Sequence, residues 1–167
     1  MTKQYFTELA DYHVWANNIV CSWLEQISDE QWKQPVVSSF PDIYDTVLHI
    51  ASAEKIWVER LKKYTEFTYL INTFKGTTGE LIALWKETSQ GFKNFVEAFD
   101  ENRINEVLAF KDIRGIPHNQ PYWQLFAHVV NHSTYHRGQL VTMLRQVGYT
   151  AITSIDMTTY FRTKYNI

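Results

Sequence analysis

The 167-residue sequence predicts an all-α protein, a four-helix bundle, and three observations carry that expectation. Four long stretches place apolar side chains three and four residues apart, the spacing that aligns them on one helical face. All four prolines, at positions 35, 41, 117 and 121, fall between those stretches. Only one short segment, Glu106 to Lys111, reads as β-prone.

The first helix runs from Lys3 to Ile27, with Tyr5, Leu9, Tyr12, Ala16, Ile19, Trp23 and Ile27 forming its stripe. A linker with Pro35 follows. Ser39 ahead of Pro41 and Asp42 is a start signal for the second helix, which carries Ile43, Val47, Ile50, Ala53, Trp57 and Leu61 and ends near Lys63. The loop Lys75-Gly76-Thr77-Thr78-Gly79 supplies a capping threonine for a third helix from Glu80 to Phe99. Between Asp100 and Pro121 the β-prone stretch and the turn Arg114-Gly115-Ile116-Pro117-His118 predict a small hairpin or irregular crossover between the third and fourth helices. Pro121 opens the fourth helix, Tyr122 to Val147, and Gly148 stops it. A short C-terminal helix near Ser154 to Arg162 completes a single domain, residues 1–167.

The chain is long enough to bury a core without a structural metal or disulfide, so a metal here is expected to serve function. A formal charge of −2, with no block of like charges, gives no footprint for nucleic acid. No apolar run reaches the roughly 20 residues of a membrane span, and the acidic and histidine-bearing N-terminus does not resemble a signal peptide. The single cysteine, Cys21, has no partner for an internal disulfide, which fits a reducing compartment. The cytoplasm is therefore the expected location.

Of six histidines, His128, His132 and His136 recur four residues apart on the fourth helix, a spacing at which consecutive imidazoles can share one ion. With His132 at zero and about 100° per residue, Leu125 and Met143 lie at about 20°, Val129 at about 60° and Leu140 at about 80°. His136, at about 40°, points into that stripe, whereas His128, at about −40°, lies outside it and should face solvent or a second shell. The wheel thus selects His132 and His136. A bare HxxxH pair also suits core histidines bonded to backbone or tyrosine, and it lacks the glutamate of a metalloprotease helix. His49, at the margin of the second helix's stripe, is a candidate third ligand. His13 is a fourth, with a core role favoured, and His118 beside Pro117 should be exposed.

The run Ala127-His128-Val129-Val130-Asn131-His132-Ser133-Thr134-Tyr135-His136-Arg137-Gly138-Gln139-Leu140 closely resembles the HxxxHRGQ signature of the DinB-like (YfiT-like) superfamily. Trp15-Ala16-Asn17 looks like its first-helix element, and Leu48-His49-Ile50-Ala51 with Glu54 and Trp57 is similar to its second-helix pattern. Gly148 and Asp156 fall where the family has its closing turn and tail. The resemblance covers nearly the whole chain. It implies an up-down-down-up bundle, a homodimer, and a divalent metal held by His49, His132 and His136, with His128 a companion rather than a ligand.

Three imidazoles leave open coordination positions, the pattern of a catalytic site. Zinc or nickel is the leading expectation for the metal, with iron and copper also suited to imidazole. Such a site could activate water for hydrolysis or hold a thiolate for transfer. The resemblance extends to enzymes that use low-molecular-weight thiols, which favours an S-transferase acting on a small-molecule substrate. A metal-dependent hydrolase and a non-catalytic metal- or ligand-binding protein are the alternatives. Hydrolysis wants a general base, and Glu54, about 140° from His49 on the wheel, is expected to be a solvated surface charge. Arg137 either attracts an anionic substrate or is an exposed helix residue. The catalytic and cofactor-binding residues are otherwise unassigned.

Overall fold

The computed structural model describes residues 2–67 and 69–167; Met1 and Thr68, which the single-domain expectation includes, lie outside them. In chain order the elements are α1 (Lys3–Leu24), α2 (Asp29–Lys33), α3 (Ile43–Leu61), α4 (Leu70–Thr73), α5 (Thr78–Ala98), β1 (Val107–Lys111), β2 (Pro117–Pro121), α6 (Tyr122–Gln146) and α7 (Met157–Tyr165), with a 3-10 turn over Glu101–Arg103. The four long helices are α1, α3, α5 and α6.

Local chemistry sets their ends. The Asp42 carboxylate accepts from the amide of Asp45 at 2.8 Å and so starts α3, three residues beyond Ser39. Thr77 and Glu80 form a reciprocal capping box at α5. Gly148, at φ +89°, takes the left-handed conformation that ends α6. Several helix ends differ from the sequence expectation, and two short helices are added. The first helix stops at Leu24 because Ser28 and Gln31 build a second capping box and start α2 in what reads as linker. Ile27 keeps its apolar role, buried beside that turn. The one-turn α4 also lies in an unassigned connection, and the terminal helix runs from Met157 to Tyr165, three residues later at each end than Ser154 to Arg162.

Helix direction follows from which residues share a core. One apolar cluster joins the C-terminal part of α1 (Val20, Leu24) to the N-terminal parts of α3 (Val47, Ile50) and α5 (Leu81, Trp85) and the C-terminal part of α6 (Leu140, Leu144). The other joins the opposite ends: Phe6 and Leu9, Val58 and Leu61, Phe92 and Val96, Leu125 and Phe126. The bundle therefore runs up-down-down-up. Each cluster excludes water over several large side chains at about 1.5–3 kcal/mol apiece, so the fold has its own hydrophobic support at both ends.

The antiparallel hairpin β1–β2 pairs Ala109 with Asn119 and fills the α5–α6 connection. It is anchored by buried Leu108 and by Phe110, whose ring meets Trp57 of α3 edge-on at 5.2 Å. That contact roofs one side of the bundle. Among the described residues, no helix is long and apolar enough to cross a membrane.

Candidate metal centre

Helices α3 and α6 lie side by side, and His49 on the first faces His132 and His136 on the second. Their ring centroids are 5.3 Å (His49–His132), 4.6 Å (His49–His136) and 4.5 Å (His132–His136) apart. One nitrogen from each lies within 4.8 Å of the others. The Nε2 atoms of His49 and His132 are 3.3 Å apart. Two imidazole nitrogens bound to one tetrahedral zinc at ~2.0–2.1 Å are themselves roughly 3.3–3.4 Å apart. The donor set therefore fits a divalent ion.

Surroundings fix the rings and keep them neutral. His136 Nδ1–H donates to Gln139 Oε1 at 2.7 Å, and the Gln139 amide donates onward to Ser39 Oγ at 2.7 Å, which turns His136 Nε2 toward the other two histidines. The Phe40 ring covers His49 at 4.6 Å and His136 at 5.9 Å. Burial, then repulsion from His136, lowers the pKa of His49 to about 4. Burial, then repulsion from the neighbouring histidines, lowers that of His132 to about 4. Burial lowers His136 as well, opposed by its bond to Gln139. At neutral pH all three rings are uncharged, so each can offer one nitrogen lone pair to an ion.

Between the two apolar clusters lies a polar layer to which all four long helices contribute. Asn17 of α1 is its hub. Its Nδ2 donates to Glu54 Oε1 at 3.1 Å and Ser89 Oγ at 2.8 Å, while its Oδ1 accepts from Ser133 Oγ at 3.2 Å and Arg137 Nη1 at 2.8 Å. Glu54 also accepts from Ser89 Oγ at 2.7 Å and Trp85 Nε1 at 3.2 Å, and it lies 3.2 Å from His13 Nε2. Burial opposes its ionisation, but His13 and these donors outweigh burial and hold the carboxyl below the usual carboxylate range. Arg137 completes the layer through Thr134 Oγ1 at 2.7 Å and Tyr12 OH.

This layer overturns two sequence expectations. Glu54 is not a surface charge: it is 1% exposed. Its angle from His49 was the wrong reference, because Glu54 continues the stripe Val47, Ile50, Leu61 at four- and seven-residue spacing. Arg137 is 0% exposed and committed to Asn17, Ser133 and Thr134, so it neither faces solvent nor reaches a substrate. Its wheel angle, about 140° from His132 and beside Leu144 at about 120°, was the available signal. The readings of the other three histidines match the geometry, whereas Tyr5 of the first stripe is exposed. His13 is buried core, His118 is exposed, and His128 is exposed against Trp57, outside the histidine cluster. The thiol of Cys21 is buried and pushed up to about 12 by desolvation, which removes it as a nucleophile.

A four-helix bundle with three neutral imidazoles converging between its second and fourth long helices defines a histidine-site bundle protein, with a donor set able to hold a metal ion. The chain belongs to the DinB family, whose family model matches residues 1–165. It is 29% identical over 149 residues to Protein DinB of Bacillus subtilis strain 168, covering 85% of this chain and 86% of that one. Among solved structures it is similar to a DinB-like protein of Bacillus cereus, with TM-score 0.65, 16% identity, and coverage of 83% of this chain and 90% of that one. A second DinB-like protein, of Bacillus subtilis, gives TM-score 0.67 at 16% identity over 89% and 97% of the two chains. A DinB family member from Exiguobacterium sibiricum gives TM-score 0.67 at 16% identity over 90% and 97%. At that identity these structures speak for the fold alone.

Proposed function

We propose that the protein is a metal-dependent enzyme in which His49, His132 and His136 hold one divalent ion, and that it transfers a low-molecular-weight thiol to a small-molecule electrophile. The single observation that carries this reading is the convergence of three neutral imidazole nitrogens within 4.8 Å. A bound zinc or nickel ion would supply Lewis acidity that favours the thiolate form of a thiol at neutral pH. The protein's own part is to orient and to exclude water. Gln139 fixes the His136 tautomer, and Phe40 shields two of the rings.

Thiol transfer is preferred to hydrolysis because the nearby carboxylate is already committed. Glu54 spends its oxygens on Asn17, Ser89, Trp85 and His13, so it offers no free base for a water molecule. A thiol bound to such an ion would release its proton to solvent at neutral pH and so would need no protein base.

Cobalt substitution tests the reading. Addition of low-molecular-weight thiols, bacillithiol-like ones included, should shift the d–d spectrum and add a sulfur-to-cobalt charge-transfer band, and the metal-loaded protein should consume thiol with an electrophile. The reading is abandoned if every thiol leaves the spectrum unchanged while metal-dependent hydrolysis of an ester or amide is detected.

A further inference from the structure

Helix α3 carries a second polar group on the face that bears His49. Arg60 is eleven residues on, which places it about 20° around the helix and roughly 16 Å along its axis. Between them lie Ser52, Ile56 and Trp57, which with Ile71 and Ile113 line a cleft of about 490 Å³ that includes both His49 and Arg60. A second cleft of about 520 Å³, beneath the hairpin, shares Trp57, Arg60 and Ile113 with the first. The two form one groove. It leads from His49, past an apolar middle, to a guanidinium.

Among the described residues no carboxylate pairs with that guanidinium at ion-pair distance; Asp112 and Tyr69 act on it only through space. Arg60 is 6% exposed, and its Nε is buried with no hydrogen-bond partner among the described residues. Its contacts are aromatic: the Cζ lies 4.8 Å from the Trp57 ring, 5.5 Å from Phe110 and 5.6 Å from Phe67. The carboxylate on the same wall, Asp112, is committed elsewhere. Its Oδ1 accepts the amides of Arg114 at 2.8 Å and Ile116 at 2.9 Å, and its Oδ2 faces His118 at 3.4 Å and Arg114 Nη2 at 3.6 Å. A buried cation without an anion is costly, and aromatic faces recover only part of that cost. The three rings also confine the guanidinium, which suits it to a planar, two-oxygen partner.

We propose that Arg60 anchors an anion subsite in this groove and receives the carboxylate of an elongated, partly apolar ligand. One guanidinium matches one negative charge. A phosphate monoester would bring nearly two beside Asp112, with no second buried cation to balance it. Placing the reactive end of that ligand at the histidines rests on the function proposed above. The carboxylate subsite itself does not depend on a metal.

The test uses full-length ¹⁵N-labelled protein, as isolated and again after chelation, titrated with 4-phenylbutyrate. Its Arg60 Nε–H and Trp57 indole N–H resonances should shift together and saturate. The neutral amide 4-phenylbutyramide should leave the Arg60 signal in place, a comparison that needs no variant. Arg60→Gln should weaken carboxylate binding about ten- to a hundredfold, the size expected for a charge-assisted hydrogen bond. Equal binding of acid and amide, or retention of affinity in Arg60→Gln, overturns the proposal. Tighter binding of 3-phenylpropyl phosphate than of the carboxylate overturns the choice of ligand class. Because the same shifts are expected after chelation, failure of the histidines to hold metal would not mimic failure of the subsite.

Discussion

His136 and Gln139, one helical turn apart on α6, share a 2.7 Å hydrogen bond that decides which nitrogen of the imidazole faces His49 and His132. The glutamine is itself held by Ser39, so the chain before α3 and the body of α6 jointly set the orientation of one ring. Outer partners of this kind are worth about ten- to a hundredfold in metal affinity. Gln139→Leu should therefore weaken zinc binding by about that factor in competition with a chromophoric chelator, with helicity retained. Unchanged affinity would mean that the packing of Phe40 and Tyr135 alone orients His136.

Removal of the candidate ligands themselves should be harsher. His49→Ala, His132→Ala and His136→Ala should each lower metal occupancy sharply, since two imidazoles bind far less well than three. His128→Ala should keep most of it, because His128 packs on Trp57, with ring centroids 4.9 Å apart, and lies outside the cluster. Elemental analysis after gel filtration separates the cases. Loss with His128→Ala and retention with His49→Ala would reassign the site.

Metal-free protein should lose stability as pH falls from about 6.5 to about 4. His49 and His132 bind protons only near the lower value when folded, but near the ordinary 6.5 when unfolded. In that window the unfolded chain holds more protons, so acid favours it; above about 6.5 both states are neutral and the contribution vanishes. Urea midpoints across that range should fall with pH, and less steeply for the His49→Ala, His132→Ala double variant. Equal slopes would place the acid sensitivity elsewhere.

Glu54→Ala should destabilise the protein by about 3–5 kcal/mol, as breaking a buried polar pair does, because Asn17, Trp85 and Ser89 lose their acceptor and His13 its partner. Glu54→Gln, which keeps an oxygen, should cost less. Denaturant midpoints measure both. A loss below about 1 kcal/mol for the alanine variant would show that water replaces the carboxylate and that the layer is not a structural element.

Chelation should leave the helices intact. Apolar clusters lie on both sides of the polar layer and owe nothing to the histidines, so circular dichroism should hold while the melting temperature loses only the margin that ligand binding adds. Collapse of helicity would make the metal structural.

The sequence by itself determined the bundle and the pair on α6. Periodicity at three and four residues marks each long helix, and caps such as Thr77 and Gly148 act within one turn of the chain, so both are legible without knowing the neighbours. The wheel likewise separated His136 from His128, because burial on a helix is a matter of angle. What the tertiary structure decided is which polar groups meet. Glu54 and Arg137 read as surface charges when judged alone, yet Asn17, 37 residues from the one and 120 from the other, satisfies both in the interior. Arg60 gave no signal at all, since an unpaired cation is recognisable only once every element around it is in place. His49 joins His132 across 83 residues of chain for the same reason: helical angle is a local property, whereas the partner on the facing helix is fixed by how the helices pack.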